Sequence, residues 1–297
     1  MHCAALDASA WRNIRSREAR ATLSERPDLV QWVTIDAADR FRAREFLAAG
    51  CLDPDSAASD GHSDEASSER NRTRGLEFSE LFWPERLSPS NCELSIEAAL
   101  AVLRSLNLTA SDRFLDLGCA RGRLVLSAFL ATPCACCAGV ELSPTDHALA
   151  SAARLRCLAA AAALDPCRLP LFRCSDLRAA PLRDFTVLYC AIRGDKSRPK
   201  VVHDLITTLL ATEGGEAGSS ARDKRAPTRL ILAGFGVDVV GTCYEDRVSL
   251  TRAYALRDEI TVAAAGGEEE DTAVAGALYG ASGKEGPRVL LEYLIGS

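Results

Sequence analysis

Strand-like and helix-like segments alternate through the middle of this chain, and that alternation limits the folds it can adopt. The short apolar runs RFLDLG (113–118) and CACCAGVEL (134–142) are each followed by a helix-like segment, GRLVLSAFLA and PTDHALASAARLRCLAAAAA. Repeated strand–helix units predict a parallel sheet with helices on both faces. Further strands are predicted in LPLFRCSDL, DFTVLYCAI and RLILAGFG, and a helix over Val201–Leu210. The tail segments RAYALRDEITVAAA and RVLLEYLI predict a last pair of strands, with an antiparallel final strand closing the sheet.

Composition changes divide the chain into three parts. Residues 1–52 carry two helical patterns and predict a small helical N-terminal extension, in which Asp36 caps the clearer helix and Gly50 ends it. Residues 53–76 are acidic and rich in serine, so they cannot offset their ordering entropy by burial and predict a flexible linker. Residues 77–297 then form the main domain.

A helix is expected just before the first strand of the main domain. Apolar residues at helical spacing define one face of it: Ile96, Leu100, Leu103 and Leu106. Ser90 and Glu93 fit a capping box at its start.

Charge and hydropathy exclude several classes of protein. The chain has a formal net charge of −6, which disfavours broad binding to nucleic acid and suits a basic peptide partner. No membrane span or signal sequence is evident, so we expect a soluble intracellular protein of the nucleus or the cytoplasm. Its 12 cysteines include one CxxC, Cys134 and Cys137, but no second pair at matching spacing. We therefore expect small buried apolar side chains and no metal site.

The turn from Asp116 to Gly122 is the strongest chemical motif. In a doubly wound sheet the first strand–helix turn contacts the cofactor. This turn lacks the GxGxxG spacing of dinucleotide binders and has an acid two positions before its first glycine. A carboxylate there repels a pyrophosphate but can bind the ammonium of an amino acid. The turn (Asp116, Gly118, Cys119, Ala120 and Gly122) therefore favours S-adenosyl-L-methionine (SAM) over NAD.

Two further acids follow the next predicted strands. Glu141 ends the second strand, where a carboxylate can accept hydrogen bonds from both ribose hydroxyls of an adenosine cofactor. Asp176 ends the third strand and can accept from the adenine amino group, while Leu177 can pack on the ring. Each acid has an alternative role as a helix cap or as a solvated loop charge.

The run from Glu93 to Glu141 resembles class I SAM-dependent methyltransferases, and among them the Dot1-like histone-lysine methyltransferases. That family has a DLGSGxG turn, then a helix, then a strand ending in GxE, which match Asp116, Gly118, Gly122 and Glu141. The resemblance implies a Rossmann-like class I methyltransferase fold and SAM as cofactor. It also implies N-methylation of a lysine in a protein substrate, including histones. Small non-histone protein-lysine methyltransferases share this architecture. The sequence does not decide which of the two groups the chain resembles more.

The chain departs from the family near the expected substrate site. Only Glu93 survives of the family's tyrosine-glycine-glutamate turn, and the family's asparagine pair after the fourth strand falls near Ala191 and Ile192. Candidate lid or substrate-channel residues are Glu93, Trp83, Tyr189 and Cys190; the alternatives are a helix cap for Glu93 and packing for the others.

The acceptor is left open by the sequence. Methyl transfer from a sulfonium is an in-line displacement that needs alignment of donor and acceptor, so no general base is assigned. Methylation of RNA or a small molecule on the same fold is an alternative, as is a degenerate SAM-binding scaffold.

Overall fold

A single mixed sheet organises the protein, seen in a computed structural model that describes residues 16–48, 94–160, 169–191, 198–211, 227–233, 244–258 and 289–296, with Leu6, Trp11, Ile14 and Val237. The strands are β1 (Val30–Ile35), β2 (Arg113–Leu117), β3 (Cys136–Glu141), β4 (Leu171–Cys174), β5 (Val187–Cys190), β6 (Thr228–Ala233), β7 (Val248–Asp258) and β8 (Val289–Ile295). The helices are α1 (Arg17–Glu25), α2 (Ala37–Ala48), α3 (Ile96–Leu106), α4 (Arg123–Ala131), α5 (Pro144–Ala160) and α6 (Arg198–Leu210). None of these helices is long and apolar enough to cross a membrane.

The strand order is β1-β7-β8-β6-β5-β2-β3-β4. Pairing is parallel everywhere except at β8, which lies between β6 and β7 and runs antiparallel to both. The predicted Rossmann-like sheet with an antiparallel final strand is therefore confirmed. Of the predicted last pair, only β8 is reversed, because β7 has the direction of the other six strands.

Alternate strand residues supply two apolar cores, one on each face of the sheet. Leu115 and Leu117 belong to the core that includes residues of α1 and α6. Phe114, directly before Leu115, belongs to the core that includes α3 and α4. This period-two alternation is what a strand covered by helices on both sides requires. Cys137 and Cys190 are buried in these cores, as predicted for small apolar side chains.

The N-terminal extension contains a strand that the sequence pattern does not predict. In β1 (VQWVTI), Val33 and Ile35 are each 1% exposed, and the strand pairs in parallel with β7. The run is only six residues long and lies between two helical patterns, so periodicity alone does not separate it from a helix. The extension is therefore part of the central sheet and is not helical throughout.

Helix caps give one confirmation and one correction. Asp36 caps α2 as predicted, because its Oδ1 accepts from the Asp39 backbone N–H at 2.9 Å. The predicted capping box of Ser90 and Glu93 is wrong: the N-cap of α3 is Ser95, whose hydroxyl accepts from the Ala98 N–H. The helix thus begins at Ile96, three residues after Glu93. Ser90, Glu93, Gly50 and the predicted linker lie outside the described residues.

Candidate functional site

The site lies where the strand order of the sheet reverses, between β2 and β5. β2 lies between β3 on one side and β5 on the other, so the loops after β2 and β5 leave the sheet in opposite directions. In open α/β sheets the crevice at such a switch point, at the carboxyl ends of the strands, is where ligands bind. The turn that follows β2, residues 118–122, is called the β2–α4 turn below.

The β2–α4 turn is built on left-handed backbone. Gly118, Ala120 and Gly122 have φ values of 87°, 47° and 82°. The N–H groups of Gly118 and Cys119 both donate to the Val140 carbonyl, at 2.9 and 3.0 Å, which ties the turn to the end of β3. Ala120 therefore stands where glycine would be unstrained, at a cost of about 1 kcal/mol.

Close packing explains two of the glycines. A Cβ added at Gly122 would lie 2.6 Å from the Phe172 ring and 3.1 Å from the Ala150 Cβ. A Cβ added at Gly139 would lie 2.6 Å from the Cys119 Sγ. Gly118 is different, because a Cβ there would meet no atom within 4 Å. Space is thus open beside the first residue of the turn and closed around its end.

Asp116 is buried directly before the turn. The residue is 4% exposed and lies in register with Gly139 of β3 and Tyr189 of β5. A carboxylate this deeply placed has a high desolvation cost and persists only with compensating interactions. Asp116 thus lies at the end of the middle strand of the switch point, and its contact with a cofactor stays a prediction.

Glu141 connects the β2–α4 turn to the loop after β3. Its Oε2 accepts from the Ala120 N–H at 2.7 Å, and its Oε1 accepts from the Ser143 N–H at 2.8 Å. Burial raises the pKa of Glu141, although both backbone hydrogen bonds act in the opposite direction. A carboxyl with a raised pKa contributes stability at low pH that is lost as the pH rises through that pKa. Burial therefore makes the ionised form of Glu141 less favourable in the folded protein than in the unfolded chain.

Asp176 makes the interactions of a cap. Its side chain accepts from the Arg178 N–H at 2.9 Å, at the start of a single 3-10 turn, Leu177–Ala179. A hydrogen bond and an ion pair with the Arg178 guanidinium hold the pKa of Asp176 below its usual value. Leu177 is half-buried against the core that includes α1 and α6. The alternative role of Asp176 is thus present, and its contact with adenine stays a prediction.

The candidate channel residues on β5 are interior strand residues. Tyr189 is 3% exposed, and Cys190 is fully buried. They belong to the two opposite cores, so their side chains lie on different faces of the sheet. Ala191, which directly follows β5, is half-buried and apolar. Trp83, Glu93 and Ile192 lie outside the described residues, and the lid stays a prediction.

Two contacts at the site are not predicted by the sequence pattern. Ser143 caps α5, because its hydroxyl accepts from the Asp146 N–H at 3.2 Å. Asp146 also lies 3.8 Å from the Arg121 Nε, which directs that arginine toward α5. The SPTD segment has the S-x-x-D pattern of a cap, which is the signal that could have found the first contact. Among the described residues, no group of histidine, cysteine or acidic side chains could hold a metal ion.

Comparison with known proteins gives one family match. The family model "Histone methylation protein DOT1" matches residues 89–162, about a quarter of the chain, a segment that includes the β2–α4 turn and Glu141. No curated protein matches the chain.

Several solved structures are similar at low identity. An RNA methyltransferase from Salinibacter ruber in complex with S-adenosyl-L-homocysteine is 20% identical, with 46% of this chain and 74% of that chain covered and a TM-score of 0.32. An rRNA methylase from Streptococcus thermophilus is 11% identical, with coverages of 68% and 96% and a TM-score of 0.37. A SAM-dependent methyltransferase from Thiobacillus denitrificans is 21% identical, with both coverages 53% and a TM-score of 0.32. Similarity at this level does not identify a substrate.

Proposed function

We propose that this protein binds SAM at the carboxyl ends of β2 and β3 and transfers its methyl group to a lysine of a protein substrate. The observation that carries the proposal is the β2–α4 turn itself. Its three left-handed residues lie between the buried Asp116 and the partly buried Glu141, at the switch point of the sheet. The match of this segment to the DOT1 family model supports the same assignment.

The donor and acceptor groups of the site fit SAM better than a dinucleotide. Asp116 would accept from the ammonium of the methionine moiety, and the same carboxylate would repel a pyrophosphate. A carboxylate has about four acceptor sites. Glu141 uses two of them for Ala120 and Ser143, so two remain for the ribose hydroxyls. The open space beside Gly118 gives a ligand room to approach the turn.

On the adenine side of the site, the predicted acceptor Asp176 already has a hydrogen-bond partner. Asp176 already accepts from Arg178, so an adenine amino group would share that carboxylate with the guanidinium. Leu177 offers an apolar side chain but not the aromatic ring that the Dot1-like family usually has there. We therefore expect Asp116 and Glu141 to contribute more to affinity than Asp176.

When bound, SAM supplies an electrophilic methyl group on a sulfonium. The protein's contribution is to align that group with the acceptor nitrogen and to exclude water, which can lower the barrier by roughly 7–11 kcal/mol. The acceptor amine has to be neutral, and burial in an apolar environment lowers the pKa of a lysine. The half-buried, apolar Ala191 directly after β5 is consistent with this requirement.

Two features support a protein acceptor. The matching family model describes histone methylation. The net charge of −6 favours a basic polypeptide over RNA, because an acidic protein gains little from neutralising phosphates. The family's asparagine pair is replaced near Ala191 in this chain. A histone, as opposed to another basic protein, is therefore supported by the family match alone.

Transfer of a labelled methyl group tests the proposal. The full-length protein is incubated with methyl-labelled SAM and, in separate reactions, with core histones, nucleosomes, total cell protein and total RNA. We expect label on protein lysines, and loss of that label with Asp116→Ala. Asp184→Asn removes an exposed acid that precedes β5, at the amino ends of the parallel strands and away from the site, and should retain activity. Label on RNA alone would refute the protein acceptor, and binding without any transfer would indicate a scaffold.

A further inference from the structure

We propose that Glu141 is a positioning residue that holds Ala120, and with it the β2–α4 turn, in the conformation that binds the cofactor. This inference rests on the proposed function and deepens it. It assigns to Glu141 a role that acts through the protein backbone and is separate from hydrogen bonds to a ribose.

Ala120 needs an external interaction to stay in its conformation. At φ 47° it is one of two non-glycine residues with positive φ among the described residues, and the other, Asn107, is a helix C-cap. An L-residue with a Cβ is disfavoured in this region by roughly 5- to 30-fold in population. The same region is readily accessible to glycine. The alanine therefore makes this turn depend on whatever fixes residue 120.

Glu141 provides that interaction. The 2.7 Å bond from the Ala120 N–H to Oε2 has the length of a charge-assisted hydrogen bond, which is about twice as strong as a neutral one. The other oxygen accepts from Ser143, the N-cap of α5. One carboxylate thus fixes the β2–α4 turn relative to the N-cap of α5.

This arrangement has a consequence for affinity. If the turn leaves its left-handed conformation in part of the molecules, the apparent dissociation constant rises by the inverse of the competent fraction. Loss of Glu141 would then weaken cofactor binding in two ways. It would remove the hydrogen bonds to the ribose hydroxyls, and it would lower the fraction of molecules whose turn has the binding conformation. Ala120→Gly would restore only the second contribution, because glycine adopts the conformation without help.

Amide hydrogen exchange in the ligand-free protein tests the contact directly. Glu141→Met has a similar side-chain length and no strong acceptor, and Glu141→Gln keeps one acceptor for two N–H groups. We expect the Ala120 N–H to exchange at least tenfold faster in Glu141→Met than in the unmodified chain, with Glu141→Gln between them. Asp184→Asn, which removes the same charge elsewhere, should leave that rate unchanged. An Ala120 rate that is the same in all four proteins would overturn the inference.

A double-mutant cycle in the affinity for S-adenosyl-L-homocysteine tests the consequence. Ala120→Gly should lower the dissociation constant by a factor about fivefold larger in the Glu141→Met background than in the unmodified protein. An equal effect of Ala120→Gly in both backgrounds would show that Glu141 acts through the ligand alone and would overturn the inference. If the unmodified protein does not bind the ligand, the proposed function fails, and the exchange experiment still decides the role of Glu141.

Discussion

Two glycines of the β2–α4 turn have the same backbone conformation but different surroundings. Gly118 and Gly122 both have φ above 80°, so a Cβ is strained at either position. Only at Gly122 would that Cβ also collide, with the ring of Phe172 and with Ala150. The pair therefore separates the backbone penalty from the packing penalty.

The first prediction follows from that difference. Gly122→Ala should lower the free energy of unfolding by about 2–4 kcal/mol, because overpacking adds to the strain of positive φ. Gly118→Ala should lower it by only about 1 kcal/mol. Urea denaturation of the two variants measures both values. A second change, Phe172→Leu, should recover part of the loss in Gly122→Ala and none in Gly118→Ala; equal losses at the two glycines would contradict the packing account.

At the scale of single residues, the sequence indicates the types of group in the site but not their contacts. Asp116, Gly118 and Gly122 are predictable because a strand–turn–helix pattern places them at the end of β2. The hydrogen bond from Ala120 to Glu141 joins residues 21 positions apart in the sequence, and no local pattern encodes it. The cap formed by Asp176 is a local interaction, and for that reason the sequence admits it as an alternative.

A buried ionic cluster connects three neighbouring strands. Glu292 of β8 is 7% exposed and accepts from Arg229 of β6 through both carboxylate oxygens, each at 3.1 Å. The Tyr254 hydroxyl of β7 donates to the same carboxylate, and Arg229 also donates to the Leu106 carbonyl at the end of α3. The cluster fixes the antiparallel strand between its two parallel neighbours.

The pKa directions in this cluster predict how stability depends on pH. Burial alone would raise the pKa of Glu292, but the hydrogen bonds from Arg229 and Tyr254 outweigh it and hold the pKa below its usual value. Burial and the bond to Glu292 raise the pKa of Tyr254 to about 12. The contribution of Glu292 is therefore present above the usual carboxyl pKa and is lost as the pH falls through the lowered one. The contribution of Tyr254 is lost only as the pH rises through about 12.

Glu292→Gln checks this prediction. At pH 7 the variant should unfold at lower denaturant concentration than the unmodified protein, because an NH2 group replaces one of the two oxygens that accept from Arg229 and the negative charge is lost. The difference should shrink as the pH is lowered below the usual carboxyl range. Arg229→Met should be more damaging at pH 7, by about 3–5 kcal/mol, because it leaves a buried carboxylate without its ion pair. A Glu292→Gln difference that grows on acidification would contradict the sign of the shift.

At the scale of elements, strands with long apolar runs are predictable from the sequence. Half-exposed strands and the pairing between distant strands are not. β2, β3, β5 and β6 are almost continuously buried, and the sequence pattern shows them clearly. β1 is half-exposed over its first three residues and resembles the helical segments around it. Its pairing with β7 joins residues more than 200 positions apart, and pairings of that kind depend on the assembled sheet.

At the scale of the whole molecule, the extension and the main domain share one sheet. Arg104 of α3 forms ion pairs with Asp36 and Asp39 at the start of α2, at 2.6 and 2.7 Å, and β1 continues the sheet beyond β7. The carboxyl ends of the central strands, with Asp116 and Glu141, lie in the half of the sheet formed by β5, β2, β3 and β4. The extension therefore adds β1 as an edge strand, in the half of the sheet that does not contain Asp116 and Glu141.

The central claim is that the protein binds SAM at the β2–α4 turn, and calorimetric titration with S-adenosyl-L-homocysteine tests it most directly. We predict saturable binding to the unmodified protein, weakened by roughly 10- to 100-fold in Asp116→Ala, the range expected for one lost charge-assisted hydrogen bond. Asp184→Asn should bind as the unmodified protein does. Absence of binding to the folded, unmodified protein, or equal affinity in Asp116→Ala, would contradict the account.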